Sequence, residues 1–362
     1  MIDTLRARVH AGERIGRADA TWLALHASDD DLIELASAVR ARFHPPDRAT
    51  WLVMAIVNYT NVCVAKCDYC AFYRLPGQEG AYLLDFDQLR ERIDRVIGHG
   101  GTLVGFNGGF HPELRVDDYA RLFSRIREHY GPGLELYGLT VAELMFVCKV
   151  SKVSYAEGVR RLGEAGLRWI TGGGAEILAD SFRRRHSPLK YKVDDYYDAQ
   201  RAIVDGGLGS TATMVIGFDE TLDERMEHLE RLRAFQDEVG GRLASFLCWT
   251  YKPWNTELGG REVPLVEYLR WLAISRIYLD NFVHVRTSVL TRNEDALRGL
   301  RFGADDFDLP TEDEVTERAG ATISLDFDRI LACARREGFE PVHRGAWPVP
   351  GAPAAPPEAR AG

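Results

Sequence analysis

The chain is predicted to be an α/β protein, a (β/α)8 TIM-type barrel with an N-terminal helical extension. Three observations carry this. Strand-like apolar runs alternate with amphipathic helical stretches about eight times over ~250 residues; no strand-like runs cluster as hairpins; and polar or glycine residues gather just past the strand ends. A doubly wound open sheet is the structural alternative. No internal repeat shows beyond the β/α period.

From residue 3 to about 44, Leu5, Val9, Leu32, Leu35 and Val39 recur at helical spacing, with Thr21 and Ser28 as candidate N-caps. This defines a helical extension over 1–48. From Trp51 the register changes, and LVMAIVNYT reads as a strand buried on both faces. Similar runs follow at 102–109, 134–139, 167–174, 210–217, 243–250 and 282–289, with a weaker one at 299–304. Between them, 85–99, 117–130, 154–165, 194–206, 221–239 and 265–280 have amphipathic spacing. The barrel with its C-terminal elements is thereby expected over 49–345, and the Pro/Ala/Gly-rich segment 346–362 as a disordered tail.

At 362 residues, with 46% hydrophobic and 27% charged composition, the chain can bury a large core. A net charge of −9 and the lack of a basic stripe exclude nucleic acid as the main partner and favour a small molecule. The charged N-terminus and the absence of a bilayer-length apolar run predict a cytoplasmic protein with no membrane partner. Six cysteines in such a chain are not a disulfide framework. Cys148, Cys248 and Cys333 are scattered and read as small buried hydrophobes.

The other three crowd together. Cys63, Cys67 and Cys70 have C-x3-C-x2-C spacing just past the first strand. Three thiolates on a four-iron cubane leave one iron open, able to chelate the amino and carboxylate groups of S-adenosylmethionine. A closed zinc site wants four ligands, usually from paired C-x2-C knuckles, and no second pair follows. A redox C-x-x-C at Cys67 and Cys70 leaves Cys63 unexplained.

This spacing resembles that of the radical S-adenosylmethionine superfamily. The resemblance implies a [4Fe–4S] cluster on the three cysteines with S-adenosylmethionine beside it. It also implies that Tyr69 packs near the adenine, with backbone near Ala71 and Phe72 reading its edge. Asn107, Gly108 and Gly109 then offer backbone acceptors to the methionine ammonium, glycine allowing close approach, and Gly217 belongs to a segment lining the adenine. Glu176, past the fourth strand, is placed to accept hydrogen bonds from ribose hydroxyls, and Arg183 is the guanidinium of the 183–185 run positioned to clamp a carboxylate. Tyr137, His111, His284 and Arg286 each follow or end a strand and are candidate substrate residues, the first three as catalytic groups.

The stretch NYTNVCVAKCDYCAFYR at 58–74 closely resembles the cyclic dehypoxanthinyl futalosine synthase family of menaquinone biosynthesis. GGGAEIL at 172–178, STATMVIG at 210–217 and FGADDF at 302–307 extend the likeness over about residues 20–340. It implies that an adenosyl radical abstracts hydrogen from the ribose of dehypoxanthine futalosine and that the carbon radical adds to the benzoate ring. It further implies a nucleoside-like substrate and an external electron donor of the flavodoxin or ferredoxin type. The chain departs from the family pattern at Tyr137, at Met145-Phe146, in HVRTSV at 284–289 and in DLPTEDEV at 308–315, all expected near the substrate end. The competing readings are a paralogue with aminofutalosine-synthase-like or FO-synthase-like chemistry, and a non-catalytic iron–sulfur scaffold or sensor.

Overall fold

A computed structural model describes residues 1–349. Eight parallel strands close into a barrel: β1 (Arg48–Asn58), β2 (Leu103–Asn107), β3 (Glu135–Thr140), β4 (Trp169–Thr171), β5 (Gly209–Ile216), β6 (Leu243–Thr250), β7 (His284–Thr287) and β8 (Asp306–Asp313). Closure comes from β1, which pairs with both β2 and β8. A ninth strand, β9 (Glu340–His343), adds in parallel to the start of β1 at Arg48–Trp51.

Side-chain alternation along β1 divides the molecule into two apolar regions. Val53, Ala55 and Val57 face outward into the main core beneath the helices. Leu52, Met54 and Ile56 face inward and line the barrel interior. Both faces are covered, which is why the strand reads as a continuous apolar run. At the N-terminal end of the strands, Leu52, Leu103, Tyr137, Trp169 and Ala244 form a separate floor cluster.

The six expected amphipathic helices form at Phe86–Gly98, Val116–Tyr130, Tyr155–Glu164, Val193–Asp205, Leu222–Glu238 and Leu265–Tyr278. Asp85 and Thr221 cap two of them, accepting from Gln88 N at 2.9 Å and Glu224 N at 3.2 Å. Helices at Val141–Ser151, Asp180–His186 and Phe327–Arg336 lie outside that pattern. The first is buried on most sides and carries no amphipathic signal. Three N-terminal helices, Ile2–His10, Arg17–His26 and Asp29–Arg40, pack on the outside of the barrel, where Arg17 meets Glu230 at 2.7 Å and Arg270 meets Asp29 at 2.6 Å. Ser28 is an N-cap, accepting from Asp31 N at 3.1 Å. Thr21 is not; it sits within its helix and its hydroxyl donates to Arg17 O at 2.9 Å.

Two further expectations are corrected. The run at 299–304 is a 3-10 helix end and turn, and the eighth strand is Asp306–Asp313. Acidic side chains and Pro310 disguise that strand, but Asp306 and Asp308 turn inward to Arg286, and Pro310 pairs in register with Met54 of β1. The tail does not begin its expected disorder at 346. Val349 is buried in the floor cluster with Ala346 and Trp347 against it, and Trp347 stacks on His284 with ring centroids 4.6 Å apart. Residues 350–362 of that expected tail lie outside the described residues. Among the described residues no helix is long and apolar enough to cross a membrane.

Candidate active site

The loop after β1 is stapled at its base before it reaches the cysteines. Asn61 donates through Nδ2 to Gly80 O and accepts at Oδ1 from Tyr82 N, both at 2.8 Å. Cys63 N donates to Arg74 O at 2.9 Å and Arg74 N to Asn61 O at 2.8 Å. Cys63, Cys67 and Cys70 all line one cavity of about 350 Å³ inside the barrel mouth. Burial pushes the Cys67 thiol up to about 12, with Lys190 acting in the opposite direction. A thiolate there needs strong cationic compensation, which a metal supplies.

The donor set discriminates between metals. A tetrahedral zinc with Zn–S bonds of about 2.3 Å requires thiolates within roughly 4 Å of each other. Among the described residues, the trio whose ligand atoms fall within 4.8 Å of one another is His44, His284 and Asp305, at the opposite end of the barrel; the three cysteines are more widely spread. The three sulfurs therefore form no ready tetrahedral zinc site, and three thiolates without a fourth suit a cluster with one open iron. No fourth cysteine approaches: Cys148, Cys248 and Cys333 are buried outside the cavity lining.

Asn107 ends β2, and Gly108 and Gly109 follow it directly against this loop. A Cβ on Gly109 would sit 2.2 Å from Val62 O and 2.7 Å from Cys63 Cβ, and one on Gly108 would strike the Tyr59 ring at 2.5 Å. The pair is held by Glu143, whose Oε1 accepts from Gly108 N at 2.8 Å and Tyr59 OH at 2.7 Å. Its Oε2 accepts from Thr140 N at 2.8 Å, closing a capping box with Thr140. Burial raises the Glu143 carboxyl to about 6, against the pull of those donors. Sequence reasoning missed Glu143, although the T-x-x-E spacing at 140–143 is a recognisable signal.

Glu176 lines the opposite wall. Lys190 Nζ lies 3.1 Å and 3.2 Å from its two oxygens and 3.5 Å from Tyr69 OH. Burial opposes charge on Glu176, yet Lys190 and Arg183 hold the carboxyl below its ordinary range. Tyr69 and Phe72 also line the cavity, Tyr69 packing on Phe218 at 5.2 Å. Arg183 is corrected: it lies behind Glu176, donating to Ala175 O at 2.9 Å with its guanidinium 3.9 Å over the Tyr191 ring, and does not face the cavity. Lys190, to which the sequence assigned no role, faces the cavity beside Glu176 instead. Gly217 is also outside the lining, its N–H donating to Glu220 at 2.8 Å, while its neighbours Val215 and Phe218 line the wall.

At the floor, Tyr137 stacks on Trp169 at 4.8 Å, and its hydroxyl is buried without a partner. Arg286 enters the cavity from β7, pairing with Asp306 at 3.1 Å and with Asp308, and Arg344 reaches Asp306 at 2.5 Å. Neither histidine candidate reaches the cavity. His111 lies in the loop after Gly109, its Nδ1 accepting from Glu113 N at 3.3 Å. His284 begins β7 at the closed end, where its Nδ1 meets Asp305 at 2.6 Å. A strand contributes catalytic groups from its C-terminal end, and His284 occupies the other.

Residues 57–232 match the Radical SAM superfamily, and residues 241–347 match the CofH/MqnC C-terminal region. The fold resembles methylornithine synthase, with a TM-score of 0.72 at 16% identity over 93% of this chain and 97% of that one. It also resembles the FeFe-hydrogenase maturase HydG from Carboxydothermus hydrogenoformans, at 0.71 and 14% identity over 94% and 79%. With its cysteine loop at the mouth of a closed parallel barrel, this protein is a radical S-adenosylmethionine enzyme. The chain is 35% identical over 346 residues to cyclic dehypoxanthine futalosine synthase of Halalkalibacterium halodurans, covering 95% of this chain and 93% of that one. The Streptomyces coelicolor protein of the same name is 36% identical over 343 residues (93% and 86%). Aminodeoxyfutalosine synthase of Thermus thermophilus is 34% identical over 346 residues (89% and 91%). Within the superfamily, the chain belongs to the family of these futalosine-pathway synthases.

Proposed function

We propose that the protein cyclises dehypoxanthine futalosine to its cyclic product in menaquinone biosynthesis, with a [4Fe–4S] cluster on Cys63, Cys67 and Cys70. The observation that carries this reading is one continuous cavity running from the three sulfurs down to Tyr137 on the floor. Cluster and S-adenosylmethionine together supply a 5′-deoxyadenosyl radical that takes hydrogen from the substrate ribose. An external donor of the flavodoxin or ferredoxin type provides the electron.

The residues of the chain bind, orient and exclude water. Tyr69 and Phe72 offer apolar surface to an adenine. The backbone of Asn107 to Gly109, fixed by Glu143, receives the methionine ammonium. Glu176, its carboxylate kept charged by Lys190, accepts from ribose hydroxyls. Below them, Tyr137 and the Arg286 and Arg344 guanidiniums supply donors to the aromatic acid end of the substrate, and the plug of Trp347 and Val349 keeps water from the floor.

The test is an anaerobic assay of reconstituted enzyme with reductant, S-adenosylmethionine and dehypoxanthine futalosine. A cyclised product together with 5′-deoxyadenosine is expected. 5′-Deoxyadenosine without that product assigns the barrel to a related substrate, the alternative raised by 34% identity to an aminodeoxyfutalosine synthase. No 5′-deoxyadenosine at all sinks the enzymatic reading in favour of an iron–sulfur scaffold.

A further inference from the structure

The cyclisation proposed above, on which this inference rests, must shed a proton from the benzoate ring carbon that gains the new bond. No histidine lines the cavity, and both of its lysines are engaged, Lys190 with Glu176 and Lys252 with Glu262 at 2.8 Å. Among the described residues four carboxylates remain: Glu143, Glu176, Asp308 and Asp313. Glu143 spends both oxygens on Tyr59, Gly108 and Thr140. Glu176 is held below its ordinary carboxyl range by Lys190 and Arg183, which makes it a poor proton acceptor. Asp308 is paired with Arg286 and lies 3.7 Å from Arg344.

Asp313 differs from these three. It ends β8 in register with Ile56 of β1, at the catalytic end of the barrel. Its Oδ2 accepts from the Thr316 hydroxyl, while Oδ1 is buried with no partner. The backbone around it is pinned, since Glu314 accepts from Tyr82 OH at 2.7 Å and Val315 N donates to Asn58 Oδ1 at 3.3 Å. Asp313 lines the cavity wall with its backbone fixed in place, and a side-chain movement that uncovers Oδ1 gives it the geometry a general base requires.

We propose that Asp313 Oδ1 takes the ring proton that restores aromaticity. The ring C–H bond breaks heterolytically, its hydrogen leaving as a proton that forms the O–H bond on Asp313. Its electron pair stays behind, so that the neutral ring radical becomes a radical anion. That anion then passes one electron to a one-electron acceptor of the iron–sulfur class. The surroundings suit a proton acceptor. Burial raises the Asp313 carboxyl to about 7, against the pull of the Thr316 hydroxyl and the Val315 N–H, with Glu317 and Glu312 of its own segment adding to the rise. The nearby cations Arg92 and Arg95, from Phe86–Gly98, point at Glu312 instead, at 3.3 Å and 3.5 Å.

The test compares wild-type, Asp313→Asn and Asp313→Glu holoenzymes on substrate deuterated at the abstracted ribose position. The Asn variant is expected to carry deuterium into 5′-deoxyadenosine within about twofold of wild type while cyclised product falls about a hundredfold or more. Wild-type product formation should rise with pH through a midpoint near that of the carboxyl, and the Asn variant should lack this limb. Infrared spectra between acid and alkaline pH should show a protonated-carboxyl band in the wild type that the Asn variant lacks, a readout independent of turnover. Product at the wild-type rate in the Asn variant overturns the proposal, as does a change confined to KM. If the Asn variant loses its iron, the Glu variant decides, and an unchanged pH midpoint overturns the proposal. A wild type that forms no cyclised product removes the reaction reading itself, an outcome visible before any variant is compared.

Discussion

The Gly108 amide donates to Glu143 Oε1 at 2.8 Å, so the glycine pair after β2 is held by the residue that caps the helix after β3. Glu143 therefore joins the methionine-binding backbone to the barrel core. Its carboxyl, raised by burial to about 6, makes that joint pH-sensitive. Because the folded protein holds this proton more tightly than the unfolded chain, stability is highest below the unfolded carboxyl range and falls as pH rises through the folded value. A shift from 4.5 to about 6 corresponds to a loss of about 2 kcal/mol between pH ~4.5 and ~6. Urea unfolding at pH 5 and 7 should show this slope in the wild type. Glu143→Gln should be less stable at both values and show a shallower slope, the remainder coming from Asp313, whose carboxyl burial raises to about 7.

Gly109 allows the cysteine loop to sit where it does. A Cβ there would press to 2.2 Å from Val62 O, and backbone cannot yield as a flexible side chain can. Gly109→Ala should lower iron bound after reconstitution well below about four per chain. Cys67→Ala should do the same and abolish S-adenosylmethionine cleavage. Cys148→Ser, at a thiol buried outside the cavity, should leave the iron count unchanged. Iron analysis with 5′-deoxyadenosine quantification checks all three.

Periodicity carried the barrel well because most of its strands are buried on both faces and read as near-continuous runs, and several of its helices have one clear apolar stripe. It failed at β8, where Asp306 and Asp308 face inward to arginines and the apolar signal is lost. The cysteine triplet was legible because its spacing is local. Lys190 was not, because it lies 14 residues beyond Glu176 and only the turn through Asp180–His186 returns it to the cavity. Arg183 and His284 were misjudged for a related reason: sequence gives proximity to a strand but not the direction of the side chain. Asp313 lies in DLPTEDEV, the stretch expected near the substrate end, but nothing local separates it from its acidic neighbours.

Lys190 and Arg183 flank the same carboxylate, yet only Lys190 faces the cavity. Lys190→Ala should weaken S-adenosylmethionine binding about tenfold or more, as loss of a charge-assisted hydrogen bond worth about 1.5–3 kcal/mol. Arg183→Ala should instead act mainly on stability, since it removes a buried guanidinium from Ala175 O and the Tyr191 ring. Titration calorimetry and thermal unfolding on the two variants separate these effects, and equal loss of affinity in both would contradict the placement.

Trp347 closes the barrel from below, with the Arg344 guanidinium 3.8 Å over its ring and His284 stacked at 4.6 Å. Trp347→Ala should destabilise the protein by about 2 kcal/mol through lost apolar burial and cation–π contact. It should also admit water to the floor, raising 5′-deoxyadenosine formed per product. Trp347→Phe should restore most of both, since a ring remains for Arg344 and His284.

Tyr137 carries an opposite signature. Its ring is fixed by Trp169, but its hydroxyl is buried at the cavity floor without a hydrogen-bond partner among the described residues. An unsatisfied buried hydroxyl costs about 1–3 kcal/mol, so Tyr137→Phe should be as stable as the wild type or more so. A hydroxyl kept at that cost for a bound substrate should be missed when substrate is present, and Tyr137→Phe should then lose roughly tenfold in kcat/KM, with iron content unchanged. Greater stability together with lower kcat/KM assigns the hydroxyl to the substrate. Unchanged kcat/KM assigns Tyr137 to the packing of the floor alone.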